Sequence, residues 1–504
     1  MRRSVSGQLS FVFADSPPEA SSRSAGQGGG GAEASDVSQA KAWLLHIADG
    51  KAASETDAQA DEPIDTAHLL EQAASPGNLS RALLNVARNK GAAGVDGRSV
   101  DEVVGSARSL LPKLRRSLLS GCYQPGAIRR VWIPKPGGGE RGLGIPNVVD
   151  RVVQQALLQV LEPVFEPTFH DSSHGFRPRR GAQTALAQAK GYVQEGFGHV
   201  VDIDLSKFFD RVNHQRLLGR LAQRIEDGRV LRYVHRMLKA KVVLPEGTRV
   251  STHEGTPQGG PLSPLLSNIV LDELDRELER RGLRFVRYAD DFMVFVRSER
   301  AGHRVMASIQ RFIECRLRLK VNQDKSRVDR PEHLHFLGFT LRKNRDGHVE
   351  VLLSDRTKRR IDDRVRGLTP RTWGGSLGAC MDQLNRYLRG WYGYFRLCTE
   401  QGARDFARID AHLRRRLRAI IVRHKGRRPR FLFRHLRARG VPAGPAAKTA
   451  FGRGGVWFQS STYGMHKAYG NDWFYQRVLT LWHQWRLDHP DLVWVSSRQL
   501  DLFG

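Results

Sequence analysis

A chain of 504 residues is long enough for about three domains of ordinary size, so a sizeable core needs no special staples. Its 81 Lys and Arg against 52 Asp and Glu give a formal net charge of +29, too large for an ordinary soluble enzyme, and this points to a polyanionic partner. Membrane and export readings are excluded: no run approaches about 18 apolar residues, and the initial Met-Arg-Arg leads into no apolar core of signal type.

The four cysteines, Cys122, Cys315, Cys380 and Cys398, show no C-x-x-C pairing. They support neither a zinc knuckle nor a disulfide framework, and a reducing bacterial cytoplasm is expected. In chain order, residues 1–65 are rich in Ala, Gly and Ser and carry five basic and ten acidic side chains, net −5, which leaves +34 on the remainder. This composition predicts a disordered tail, relieved only by a marginal helix around Ala42, Trp43, Leu44, Leu45 and Ile47.

From residue 66 the pattern is that of an α/β (α+β) unit extending to about 345. A helix is predicted over 148–161 and strands over 199–203 and 292–297. Pro136-Gly137-Gly138-Gly139 reads as a hairpin tip between Ile133 and Leu143, and Val242 to Val250 as a second hairpin turning at Pro245-Glu246-Gly247. Over 346–504 the composition shifts to Arg, Trp and Tyr. Leu377, Cys380, Met381, Leu384, Tyr387, Leu388, Trp391 and Phe395 recur at three and four residues, the stripe of an amphipathic helix.

The sharpest chemical signal is Arg287-Tyr288-Ala289-Asp290-Asp291-Phe292-Met293-Val294-Phe295. An Asp-Asp pair alone is ordinarily a solvated turn, but this one lies between two apolar strands. A second acidic strand, Val200-Val201-Asp202-Ile203-Asp204-Leu205, offers further carboxylates. Nucleotidyl transfer needs two divalent ions about 3.5–4 Å apart, and carboxylates from two strands can hold them. Mg²⁺ suits such oxygen ligands, with Mn²⁺ as the alternative. Asp202 and Asp204 share a strand face, so spacing alone leaves both open.

These stretches resemble the palm of reverse transcriptases encoded by bacterial group II introns, and the similarity continues in order through further blocks. The blocks are Asn89 to Gly97, Ile133-Pro134-Lys135, Arg141 to Pro146, His174-Gly175-Phe176-Arg177-Pro178, Gly255 to Pro264, Leu319-Lys320-Val321-Asn322 and Phe336-Leu337-Gly338-Phe339. The resemblance implies a right-hand polymerase with fingers and palm, then a helical thumb, and RNA-directed DNA polymerase activity. It makes Asp204, Asp290 and Asp291 the metal-holding catalytic carboxylates, with the backbone at Ile203 or Leu205 as a further oxygen ligand. It places Phe209 against the incoming sugar, unless Phe209 is simply core. Lys135 and Arg141 would grip the triphosphate, unless they are solvated hairpin charges. Gln258, Gly259 and Gly260 would lie under template and nucleotide, although a structural turn explains them almost as well, and Lys325 would touch the nucleotide or support the palm.

Gly390-Trp391-Tyr392-Gly393-Tyr394-Phe395 is similar to the maturase region that follows the thumb in these proteins. Nearby, Arg414, Arg415, Arg416, Arg418, Arg423, Lys425, Arg427 and Arg428 crowd like charge that phosphates would neutralise, so this segment is the expected intron-RNA contact. With no cysteine beyond Cys398, the zinc-containing His-Asn-His nuclease of many relatives is not expected. Gln499-Leu500-Asp501-Leu502-Phe503 resembles a sliding-clamp-binding peptide, the alternative being an incidental tail. The implied partners are intron RNA, an RNA template with a DNA primer, and dNTPs. The same motifs also fit a related enzyme outside an intron, serving phage defence or another host task, and flanking DNA would separate the two.

Overall fold

The computed structural model describes residues 30–49, 65–134, 138–426 and 428–490. The chain divides into two compact units, one of residues up to Ala189 together with His199–Val328, the other of Lys190–Gly198 and the chain from Asp329 onward. Among the described residues no helix is long and apolar enough to cross a membrane.

The first unit opens with helix α1 (Gly30–Asp49), which contains the marginal helix expected around Ala42 to Ile47 and extends it back through residues whose composition predicted disorder. Ala40, Leu44 and Ala48, spaced by four, are buried in the main core, and α1 packs on α2 (Pro76–Arg88). A stripe that is two-thirds alanine is a weak periodic signal, and its helix is stabilised by its neighbour rather than by its own propensity. α2 starts where Ser75 accepts a bond from the Asn78 amide and Pro76 occupies the first turn, a favoured N-terminal pairing.

Strands β1 (Ile128–Pro134) and β2 (Glu140–Ile145) form the first predicted hairpin, with Trp132 opposite Gly142 and Ile133 opposite Arg141. β3 (His199–Asp204), β4 (Val242–Val243) and β5 (Arg249–Val250) follow, the last two making the second predicted hairpin and extending the first in the order β2-β1-β4-β5. The predicted helix at 148 is α3 (Val148–Phe165), whose Val152, Val153, Ala156, Leu157 and Leu161 enter the core.

The central sheet holds β6 (Arg284–Tyr288), β7 (Asp291–Val296) and β8 (Arg327–Asp329) in the order β6-β7-β3-β8. β7 runs antiparallel to both β6 and β3 and is buried from Phe292 to Val296, as its unbroken apolar run requires. Helix α4 (Ser263–Arg280) packs on β6, and α5 (Glu299–Phe312) packs on β3 and β7.

The second unit begins with a hairpin of β9 (Phe339–Lys343) and β10 (Val349–Leu353) and continues as helices. α6 (Asp355–Leu368) is followed by α7 (Leu377–Phe395), which buries Cys380, Leu384, Leu388, Trp391 and Phe395 along the predicted stripe. α8 (Glu400–Lys425) carries the basic cluster.

Candidate active site

The acidic end of the central sheet is made by two pairings that share β7. β6 and β7 are joined by Ala289 and Asp290, with Ala289 at a left-handed φ of 58°. On the other side of β7 the register sets Asp204 opposite Asp291 and Asp202 opposite Met293. Directly opposed residues in an antiparallel pair share a face with Cβ atoms about 4.5–5.5 Å apart. Asp204 and Asp291 therefore stand side by side at the strand ends, and Asp290 occupies the adjoining turn.

Burial is the largest influence on the Asp290 carboxyl and raises it above its ordinary value; Arg141 and Arg287 oppose that rise, and Asp204 adds to it. Asp202 is pushed up to about 6 by burial first, with Arg327 opposing and Asp204 adding. The Asp204 side chain is 38% exposed.

Asp204 is anchored through its backbone. Its amide donates to Ser326 Oγ at 3.1 Å and its carbonyl accepts from the Asn322 amide at 2.8 Å. Leu205 bridges Val321 and Ile203 pairs with Phe292, so both lie in paired backbone. Lys325 Nζ is 3.8 Å from Asp204 Oδ2, which places this lysine beside the carboxylates. The donor set is entirely oxygen, which fits a hard divalent cation. Among the described residues no cluster of three or more His, Cys, Asp or Glu side chains is arranged to hold an ion.

Phe209 is half-buried, edge-on to core residue Phe208 at 5.2 Å, and its carbonyl accepts from the Thr256 amide at 2.7 Å. The loop that follows reaches β2, where the Gly144 amide donates to the Gln258 carbonyl at 2.7 Å. Gly259 has a φ of 127°, and a Cβ there would lie 2.5 Å from the Gly144 oxygen. Close backbone approach thus explains this glycine. Arg141 is exposed on β2, near enough to lower the Asp290 carboxyl. Lys135, Arg427 and the stretch Gln499 to Phe503 lie outside the described residues.

The basic cluster of α8 separates into two groups, which corrects its reading as a single RNA-facing surface. Arg416 is buried, donating through Nε to Thr369 Oγ1 at 2.6 Å and through Nη2 to the Thr369 carbonyl at 2.5 Å. Arg418 is buried too, with Nε and Nη2 on the Tyr469 carbonyl at 3.0 and 2.9 Å and its guanidinium 5.3 Å from the Phe474 ring centre. Both are internal struts, and burial lowers both pKa values, that of Arg418 to about 10. Arg415 lies 4.1 Å from the Trp457 ring centre and Arg414 is half-buried, whereas Arg423, Lys425 and Arg428 are exposed. Sequence reasoning also gave Arg287 no role of its own, yet it is fully buried beneath the acidic turn. Its only sequence signal was a charge inside an apolar strand.

Residues 133–341 match the family described as reverse transcriptase (RNA-dependent DNA polymerase), and residues 358–440 match the group II intron maturase-specific domain. Protein YkfC of Escherichia coli K12 is 32% identical over 337 residues, covering 59% of this chain and 88% of that protein. The group II intron-encoded protein LtrA of Lactococcus lactis is 29% identical over 335 residues, or 53% of this chain. This chain spans about half of its length, 55%. A putative COX1/OXI3 intron 2 protein of Saccharomyces cerevisiae is 34% identical over 173 residues, 34% of this chain and 20% of that one. An acidic strand end shared by β3 and β7 stands beside an ordered match to polymerase and then maturase domains: the chain belongs to the group II intron-encoded reverse transcriptases, RNA-directed DNA polymerases that carry a maturase domain.

Proposed function

We propose that this protein copies group II intron RNA into DNA, extending a DNA primer with dNTPs, and assists folding of that RNA for splicing. The observation that supports the polymerase chemistry most directly is the register placing Asp204 opposite Asp291 with Asp290 in the connecting turn. Asp204, Asp290 and Asp291 would hold two Mg²⁺ ions, Mn²⁺ serving in their place, with substrate phosphates and water completing the coordination. Bound there, such a pair supplies activation of the primer 3′ hydroxyl and neutralisation of charge on the triphosphate.

The chain's own groups do the rest. Arg141, whose charge reaches Asp290, would meet the triphosphate together with Lys135. Phe209 would lie against the sugar and reject a 2′ hydroxyl, and the Gln258 to Gly260 loop, held to β2 by its backbone, would support template and nucleotide. The exposed Arg423, Lys425 and Arg428 are the side chains of the basic segment available to phosphates. We assign the protein to the bacterial cytoplasm and keep docking of Gln499 to Phe503 on a sliding clamp as part of the proposal; a pulldown unaffected by Leu502→Ala with Phe503→Ala removes that part.

Primer extension on an RNA template tests the whole. The wild-type chain with Mg²⁺ should extend the primer, chelation should stop it, and Asp290→Ala should be inactive while still binding RNA. Undiminished extension by Asp290→Ala would refute the assignment.

A further inference from the structure

The guanidinium of Arg287 lies directly under the turn that carries Asp290. Both Arg287 and Asp275 are 0% exposed, an unusual state for a charged pair. Nε and Nη2 of Arg287 grip the two oxygens of Asp275 at 2.8 and 2.5 Å. Nη2 also donates to Ser173 Oγ at 2.7 Å, and Nη1 donates to Asn268 Oδ1 at 3.0 Å. The remaining bond goes to the turn itself, from Nη1 to the Ala289 carbonyl at 2.9 Å. Ala289 is the residue at φ 58°, a conformation that a residue with a Cβ keeps only when its surroundings enforce it.

A second contact holds the same turn from another side. A Cβ at Gly175 would lie 2.2 Å from the Ala289 nitrogen, so only glycine allows the backbone at 175 to seat against the turn. The Gly175 carbonyl accepts from Asn268 Nδ2 at 2.9 Å, and the His174 amide donates to the Arg287 carbonyl at 2.8 Å. Asn268 thus ties both supports together, using its oxygen for Arg287 and its amide for Gly175. All these groups belong to the first unit, on β6, on α4 and in the segment before Ala182.

A buried ion pair is weak evidence for stability, because apolar replacements of equal volume often serve as well. A fork that spends one donor on a strained turn carbonyl indicates another use. We propose that Arg287, braced by Asp275, Asn268 and Ser173, is a positioning residue that fixes the Ala289–Asp290 turn so that the Asp290 and Asp291 carboxylates meet Asp204 in the geometry the divalent cations require. It touches neither substrate nor cation. This inference rests on the polymerase reading above and deepens it.

The discriminating variant is Arg287→Lys, which keeps the buried charge but cannot bind Asp275, Asn268, Ser173 and Ala289 together. Displacements near 1 Å in such sites cost on the order of 10²-fold in rate. The variant should lose about tenfold to a hundredfold in kcat for dNTP addition. KM for dNTP and affinity for primer–template should stay near wild type, and Mn²⁺ binding followed by electron paramagnetic resonance should weaken in parallel. A purely structural role would leave the kcat and Mn²⁺ affinity of the folded variant unchanged, and that result overturns the proposal. If Arg287→Lys does not fold, Ser173→Ala takes its place: it removes one brace, and a smaller loss of kcat with weaker Mn²⁺ binding is expected, whereas wild-type values overturn the proposal. Asp290→Ala run alongside separates the two levels. An active Asp290→Ala sinks the polymerase reading itself, whereas an inactive Asp290→Ala beside a fully active Arg287→Lys sinks the positioning role alone.

Discussion

Arginine is internal in two regions of this molecule whose sequence settings differ. In the first unit, Arg287 stands in an apolar strand and is engaged entirely inside the protein, under a turn that bears the candidate metal ligands. In the second, Arg416 and Arg418 stand in a dense basic run that reads as a solvent-facing RNA surface, and they too are internal. Charge density along the chain therefore locates a region of function but does not say which charges face a partner. The acceptors within reach decide that, and they come from residues far away in sequence: the Thr369 carbonyl for Arg416, the Tyr469 carbonyl for Arg418, the Ser173 hydroxyl for Arg287.

The largest effect expected lies in the first unit. Asp290→Ala should reduce RNA-templated primer extension below detection, while RNA binding in a filter assay stays at the wild-type level, because the carboxylates and the exposed basic residues are separate groups. Next is Arg416→Met, which strands two Thr369 acceptors inside the second unit. Bonds from charged donors contribute about 1.5–3 kcal/mol each, so a loss of about 3–6 kcal/mol is expected from the urea midpoint. The salt dependence of RNA binding should not change. Replacement of Arg423, Lys425 and Arg428 together by Ala should do the reverse. Every phosphate of a single strand that the protein ceases to neutralise lowers the slope of log K against log salt by roughly 0.7, so a fall of roughly 2 is expected with unaltered stability. If Arg416→Met flattens the salt slope and the triple variant does not, the division of the cluster is wrong.

Much of the first unit was legible in the sequence because apolar runs and turn chemistry are local. The strand ending at Asp204, the Asp290–Asp291 turn and both hairpins follow from patterns no longer than about ten residues. The brace under the turn was not legible, since Asp275 sits in Asp272-Glu273-Leu274-Asp275-Arg276-Glu277, which reads as a solvated helical face. Only the packing of α4 on β6 turns that one carboxylate inward. α1 was legible only as a marginal helix around Ala42 to Ile47, because alanine makes a faint stripe. For α8 a warning existed. Ala419-Ile420-Ile421-Val422 is apolar without a break, which marks a stretch buried on all sides, and Arg416 and Arg418 just before it enter the same buried stretch and need internal partners.

The smallest effect expected concerns Asp202, the carboxylate that sequence spacing alone could not separate from Asp204. Burial raises its folded pKa to about 6, above the ordinary 3.8, so folding favours the protonated form. The stability this contributes is fully present below about pH 3.8 and is lost as pH rises through about 6. At pH 7 the wild-type protein holds a charge there that burial disfavours. Asp202→Asn removes that cost and should raise stability at pH 7 by about 1–2 kcal/mol, less than the full shift because solvent screens a group that is not fully buried. The gain should shrink towards zero as pH falls below 4, and primer extension should persist. A variant that gains stability yet loses extension would make Asp202 a ligand after all, and would shift the candidate metal site one pleat deeper along β3.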